Sequence, residues 1–302
     1  MSDVAALTGE TIARDPRPPA VRGGANLPPS FDEASLARPA VAEVRDLVIA
    51  SRDGSELVHG VSVSVRPGEA LGIVGESGSG KTLTCRALLG ILPPGLDVVS
   101  GSVTVDGIDL TDAGEPGWRR VRGNRIAAVF QDPASYLNPA MPVGAQLEET
   151  LRVTAGLPRR QARERARELL DDLGIRRVDL VLRQRVAHLS GGMLQRVLIA
   201  MALAADPAVL IADEATTALD VTVQAELLDL LRRLRLERDL ALILVSHDLA
   251  VVAQVCERVQ VFRDGRVVEA GATSRVLRAP GHPYTRELLS AHAEYGLERY
   301  LA

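Results

Sequence analysis

Residues 69–92, "EALGIVGESGSGKTLTCRALLGIL", decide how this chain is read. The stretch opens on a short apolar run, passes through a glycine-rich turn and continues with apolar residues at helical spacing. It therefore reads as strand, loop and helix. Its centre, Gly75-Glu76-Ser77-Gly78-Ser79-Gly80-Lys81-Thr82, matches G-x-x-x-x-G-K-[ST]. The glycines free backbone N–H groups to curl round a β-phosphate. Lys81 is long enough to reach β and γ oxygens, and the Thr82 hydroxyl is a ligand for Mg²⁺. The dipole of a helix starting here adds favourable potential for the same anion. A strand before and a helix after form the context in which this motif holds phosphate rather than merely turning the chain.

Outward from this stretch, short apolar runs alternate with helical patterns. "NRIAAVFQD" (124–132), "AVLIADE" (208–214) and "LALILVSHD" (240–248) read as strands. The last two are continuously apolar, as in a parallel sheet covered on both faces. Residues from about 142 to 180, "SGGMLQRVLIAMALAA" (190–205) and a Leu- and Arg-rich stretch at about 221–237 read as helices. Strands alternating with helices imply an α/β core. Asp53-Gly54, Asp106-Gly107 and the "DG" within "RVQVFRDGRVVEAG" predict hairpins. Residues 1–40, rich in Pro, Ala and charge, read as a flexible tail, and "RAPGHPYTRELLSAHAEYGLERYLA" as a short helical appendage.

The formal net charge of −4 argues against a general nucleic-acid binder, which would be strongly basic. The arginines of "PRRQARERAR" alternate with Glu at helical spacing and read as a solvated helix face. Cys85 and Cys256 are far apart, without a CxxC or a neighbouring His, so neither a zinc site nor a disulfide framework is expected; both sit in apolar helical patterns and read as buried thiols. No basic stretch followed by an apolar core opens the chain, so no signal peptide is expected. The longest apolar runs, "VLIAMALAA" and "LALILV", fall short of the roughly 18 residues that span a bilayer.

Several residues complete a candidate site. Asp213 and Glu214 end an apolar strand, at the carboxyl end where parallel sheets bind ligands. Asp213 would hold Mg²⁺ through water and Glu214 would polarise the attacking water. His247 and Gln131 end two other strands. A lone His at a strand end is more often structural than catalytic, yet one strand–helix–strand step from the acid pair would bring His247 to the γ-phosphate. Gln131 is an ordinary loop residue or, beside the other motifs, a Mg²⁺ ligand or γ-phosphate sensor. A Ser-Gly-Gly turn, Ser190 to Gly192, opens a helix and is a second place fit to hold phosphate.

With these residues in order, GESGSGKT, Gln131, LSGGM, "VLIADE", "TALD" and His247, the chain resembles the ATP-binding subunit of ATP-binding cassette (ABC) transporters from about residue 41 to 290. The resemblance implies a P-loop NTPase core with a mainly parallel sheet, an antiparallel β subdomain and an inserted helical subdomain. It implies an ATPase domain over 41–275, with the helical subdomain at about 136–189 and Gln131 as its hinge, and an appendage over 276–302. It also implies head-to-tail pairing, in which each ATP is sandwiched between one chain's phosphate loop and the partner's Ser190, Gly191 and Gly192, with Thr217 to Asp220 across the same interface.

"VFQDPASYLNP", "LSGGMLQRV", "ADEATTALDVTVQAELLDLL" and "PGHPYTRELLSA" resemble the dipeptide, oligopeptide and nickel importer branch. That likeness implies a second ATPase subunit, a paralogue or a second copy. It also implies two transmembrane permease subunits, an extracytoplasmic solute-binding protein and a peripheral place on the cytoplasmic membrane face. The cofactors implied are ATP and Mg²⁺, with di- or oligopeptides the favoured cargo and nickel or another small solute open. The chain departs from the family where an aromatic residue stacks on adenine: Ser51 stands there, with Arg52 as a substitute platform. Ala215 replaces a Pro, and no Cys-rich extension follows, so no iron–sulfur cluster is expected. A soluble cassette in a cytoplasmic complex, such as that of carbon–phosphorus lyase, resembles the same branch. A regulator that binds nucleotide without hydrolysis is disfavoured by Lys81, Asp213, Glu214 and His247.

Overall fold

Among the described residues the first regular elements are two long strands, β1 (Ala42–Ser51) and β2 (Glu56–Val65), joined by the turn at Asp53-Gly54. Our computed structural model describes residues 38–216 and 219–293; the greater part of the tail expected at 1–40 lies outside them. Next come β3 (Ala70–Val74), helix α1 (Lys81–Leu88), β4 (Leu96–Val105), the short β5 (Ile108–Asp109), α2 (Glu115–Val121) and β6 (Ile126–Val129). Helices α3 (Val143–Thr154), α4 (Arg159–Asp172), α5 (Val178–Arg183) and α6 (Gly191–Ala202) lead to β7 (Val209–Asp213). Helix α7 (Val221–Arg238), β8 (Ala241–Ser246), α8 (Leu249–Val255), β9 (Arg258–Arg263), β10 (Arg266–Ala272), α9 (Thr273–Arg278) and α10 (Pro283–Ala293) complete the order. The hairpins expected at Asp106-Gly107 and Asp264-Gly265 both form on two-residue turns, joining β4 to β5 and β9 to β10.

Strands β9, β3, β8, β7 and β6 are parallel neighbours in that order, and β10 pairs antiparallel with β9 at the edge. The side chains of β3 show how the layers arise. Every residue is buried, but Ala70 and Val74 join one hydrophobic cluster while Leu71 and Ile73 join another. Leu210 and Ala212 of β7 part from Val209 and Ile211 in the same way, as a pleat of period two requires. One cluster takes in α3 to α8. The other takes in α1 and a separate antiparallel sheet of order β2-β1-β4-β5. The central sheet is thus covered on both faces, which explains the continuous apolar runs. On α4 only Ala162, Ala166, Leu169 and Leu170 are buried, so its arginines do form a solvated face. Both cysteines are buried. Among the described residues no helix is long and apolar enough to cross a membrane.

The amino-terminal end of the sheet is tied by buried charges. Arg235 of α7 pairs with Glu257, both almost wholly buried, and Glu257 also accepts the Ala70 N–H at 2.9 Å. Arg258 donates to Glu69 at 2.6 Å. Removing one partner of a buried pair leaves an uncompensated charge. Glu257→Ala is therefore expected to cost about 3–5 kcal/mol, whereas Glu164→Ala, which breaks an exposed pair with Arg160, should cost about 0.5 kcal/mol or less. Urea unfolding midpoints of the two variants check this.

Candidate nucleotide site

Because β3, β8, β7 and β6 run parallel, the residues after each strand gather at one edge. Gly75 follows β3, His247 follows β8, Glu214 follows β7 and Gln131 comes two residues after β6. Open parallel sheets take ligands at this edge.

The loop after β3 lies tightly on the β9–β10 hairpin. Gly75 has a φ of 150°, and a side-chain Cβ there would sit 2.2 Å from the Phe262 carbonyl oxygen, so only glycine fits. The Gly265 N–H donates to the Ser79 carbonyl at 3.1 Å. Glu76, Ser77 and Gly78 are the exposed crest of the loop, and Gly80 ends it as the left-handed cap of α1. Lys81 is buried, and its ammonium donates to the carbonyls of Gly75 at 2.8 Å and Glu76 at 2.7 Å. Burial pulls its pKa below the ordinary lysine value, against the opposing pull of the Glu214 and Asp213 carboxylates. A buried cation inside a glycine curl at a helix N-terminus is a seat for an anion.

Asp213, the last residue of β7, is buried, and its Oδ1 accepts from the Thr82 hydroxyl at 3.3 Å. Burial raises its carboxyl pKa, and the Thr82 hydrogen bond opposes that rise. Two hard oxygen donors thus lie together beside the phosphate loop, the donor set Mg²⁺ takes. Glu214 adopts a φ of 50°, a left-handed conformation that a non-glycine residue reaches only under strain. Its N–H donates to the Val245 carbonyl at 3.0 Å, which extends the β7–β8 ladder by one residue. Its Oε1 lies 3.9 Å from His247 Nδ1, so the histidine does reach the acid pair. Ser246 and Asp248 hold the segment around His247: Ser246 Oγ accepts the Asp248 N–H, and Asp248 caps α8. Gln131 is exposed at the same edge.

The Ser-Gly-Gly turn is built apart from this cluster. Ser190 caps α6 by accepting the Met193 N–H at 3.4 Å, Gly191 is exposed, and α6 packs on β6 and the preceding helices. Gly192 has a reason that sequence reading missed. A Cβ there would lie 2.5 Å from Val223 Cγ1, so glycine lets the starts of α6 and α7 approach. Asp220 caps α7 through Val223 N at 3.0 Å; Thr217 lies outside the described residues. Ser51 closes the β1–β2 turn, donating to the Asp53 carboxylate, and the Arg52 side chain is exposed. Also missed was the support under the loop: the Phe262–Gly265 turn and the hydroxyl of Tyr284, which accepts the Glu76 N–H at 3.1 Å. Nothing local to these residues marks such contacts; the "HPYT" stretch was read only as a likeness to the importer branch.

The ABC transporter family model matches residues 58–217 of this chain. A Brucella abortus (strain 2308) protein, whose name assigns it to peptide import as the ATP-binding component, is 46% identical over 264 residues, covering 85% of this chain and 78% of that protein. A Brucella melitensis relative with a name of the same kind is 45% identical over 245 residues, covering 79% and 72%. Among solved structures, a dimeric ATP-binding cassette in a post-hydrolysis state with ADP and Pi aligns with a TM-score of 0.67 at 26% identity, over 77% of this chain and 98% of that one. The cbiO1 protein of Clostridium perfringens, part of the ABC transporter complex cbiONQ, aligns with a TM-score of 0.70 at 28% identity, over 86% and 96%.

The two glycines of the turn separate packing from exposure. A Cβ on Gly191 would meet only Leu219 Cδ2, at 3.6 Å. Gly192→Ala should therefore lower stability by about 1–3 kcal/mol through overpacking. Gly191→Ala should leave it unchanged or raise it by up to about 1 kcal/mol. Thermal melting of the two variants distinguishes them.

Proposed function

The chain belongs to the ABC transporter family and is an ATP-hydrolysing subunit of it; on that premise we propose that it powers import of a small solute, di- or oligopeptides in the first place, through partner membrane subunits. The observation that carries the chemistry is the convergence of Lys81, Thr82, Asp213, Glu214 and His247 at one sheet edge. The peptide cargo is favoured by the names of the Brucella relatives.

In this reading Lys81 exchanges the Gly75 and Glu76 carbonyls for β- and γ-phosphate oxygens. The loop N–H groups beyond Glu76 surround the same phosphates, while the Glu76 N–H stays with the Tyr284 hydroxyl. Thr82, Asp213 and Gln131 would hold Mg²⁺, which would supply positive charge to offset the negative charge of the phosphates. Glu214 accepts a hydrogen bond from the attacking water and orients it, and His247 stands beside Glu214 at the γ-phosphate. Ser190, Gly191, Gly192 and Asp220 serve the nucleotide of a second ATPase subunit, a copy or a paralogue. Their place at the starts of α6 and α7, elements other than the one that follows the phosphate loop, supports that division of labour.

Residues 41–275 form the ATPase domain in this proposal, with about 136–189 as the subdomain that meets two transmembrane permease subunits. An apolar groove of about 300 Å³ supports this, lined by Ile91, Phe130, Tyr136, Thr150, Thr154 and Met201. It lies next to Gln131 and between that subdomain and the core, a fit for a short permease segment. The chain then sits peripherally on the cytoplasmic face, and an extracytoplasmic binding protein delivers the solute.

Glu214→Gln is expected to cut ATP turnover by at least about 100-fold while retaining nucleotide and accumulating a dimer on size exclusion. Normal turnover would remove Glu214 from its role. Tagged Glu214→Gln protein with ATP and Mg²⁺, recovered from detergent-solubilised membranes, should bring two polytopic membrane proteins with it by mass spectrometry. Recovery of soluble partners alone would replace the importer with a cytoplasmic complex.

A further inference from the structure

We propose that Tyr284, on the carboxyl-terminal helix α10, is a positioning residue for the phosphate loop, acting through the Glu76 peptide. Tyr284 lies 208 residues from Glu76 in sequence, yet its buried hydroxyl accepts the Glu76 N–H at 3.1 Å. The carbonyl of that same residue, Glu76, receives the Lys81 ammonium at 2.7 Å. One short relay therefore runs from α10 to the cation that meets the phosphates.

The tyrosine is itself held from several sides. The Arg263 guanidinium stands over its ring, 4.6 Å from the centroid, a cation–π contact made by the hairpin on which the loop rests. Its N–H donates to His282 Nδ1 at 3.2 Å, and the N–H groups of Gly281 and His282 donate to the two carboxylate oxygens of Glu269 on β10 at 2.8 and 3.0 Å. The start of α10 is thus pinned to the edge strand, and the ring is pinned between α10 and the β9–β10 turn. A hydroxyl held this firmly fixes the orientation of one loop peptide. It commits the Glu76 N–H to α10 and so fixes the Gly75–Glu76 peptide, which keeps the loop in one shape both while Lys81 rests on the Gly75 and Glu76 carbonyls and after it leaves them for phosphate. Without it the Glu76 peptide loses its partner, and the loop samples orientations that do not fit the anion. The consequence is a cost in binding nucleotide rather than in the chemical step, because bound phosphates restore the loop's shape.

The inference rests on the loop being the nucleotide site and on nothing about the transported solute. Tyr284→Phe deletes the hydroxyl and keeps the ring under Arg263. In the full chain, titration with a fluorescent ADP analogue and Mg²⁺ should show 3- to 10-fold weaker binding, by about 0.7–1.4 kcal/mol. Steady-state hydrolysis should show KM for ATP raised by a similar factor, with kcat within about two-fold. Amide hydrogen exchange at Glu76 should accelerate in the nucleotide-free protein. Leu288→Ala, a truncation of another buried residue on α10, is the control: it should lower the melting temperature and leave nucleotide affinity unchanged. Unchanged affinity and unchanged Glu76 exchange in Tyr284→Phe would overturn the proposal. So would a loss of affinity in Leu288→Ala equal to that in Tyr284→Phe, which would reduce Tyr284 to general packing. Failure of the wild-type chain to bind the analogue would instead strike at the loop assignment itself.

Discussion

The parallel, in-register pairing of β3, β8 and β7 is the constraint on which the site depends. Val74 pairs with Ser246, and Asp213 with Val245, so the three strands end within a residue of each other. Neighbouring strands lie about 4.8 Å apart. The loop after β3, the acid pair at the end of β7 and the histidine after β8 therefore gather without any further device. A slip of one residue would turn Asp213 from the Thr82 side to the opposite face. What prevents a slip is burial on both faces. Each strand offers one set of side chains to the helices and the alternate set to the antiparallel sheet, and the wrong register would exchange them.

The two ends of the sheet treat charge in opposite ways. At the amino-terminal end Arg235 meets Glu257 and Arg258 meets Glu69, and the buried groups are paired within the fold. At the carboxyl-terminal end the buried Lys81 rests on neutral carbonyls and the buried Asp213 on one hydroxyl, while Glu214 is held in a left-handed backbone conformation. Those arrangements are costly alone, and in the proposed function a phosphate anion and a cation would complete them. Stability is concentrated at one end and ligand demand at the other, as expected where a fold carries a site at the expense of local stability.

Most of the architecture was legible because its signals are local. The strands announce themselves as apolar runs, the hairpins as Asp-Gly pairs, and the phosphate loop as glycines at fixed spacing ahead of Lys81 and Thr82. The acid pair and His247 could be placed because parallel topology carries strand ends to one edge. Other features were illegible because they are products of tertiary contact. The left-handed φ of Glu214 carries no mark in the sequence, since glutamate is not a residue type that favours it. Gly192 is required by Val223, 31 positions on. The hydroxyl under Glu76 comes from the opposite end of the chain. The buried Arg235–Glu257 pair could not be told in advance from the many solvated arginines of α4 and α7.

The claim that everything at this edge serves a phosphate rests on Lys81. Its most direct test is equilibrium titration of ATP and Mg²⁺ into the purified wild-type chain and Lys81→Ala side by side. Charge-assisted hydrogen bonds to buried groups are worth about 1.5–3 kcal/mol each. The account predicts that Lys81→Ala weakens ATP binding by about 100-fold or more while the fold, followed by circular dichroism, persists. Equal affinity in the two proteins would contradict it.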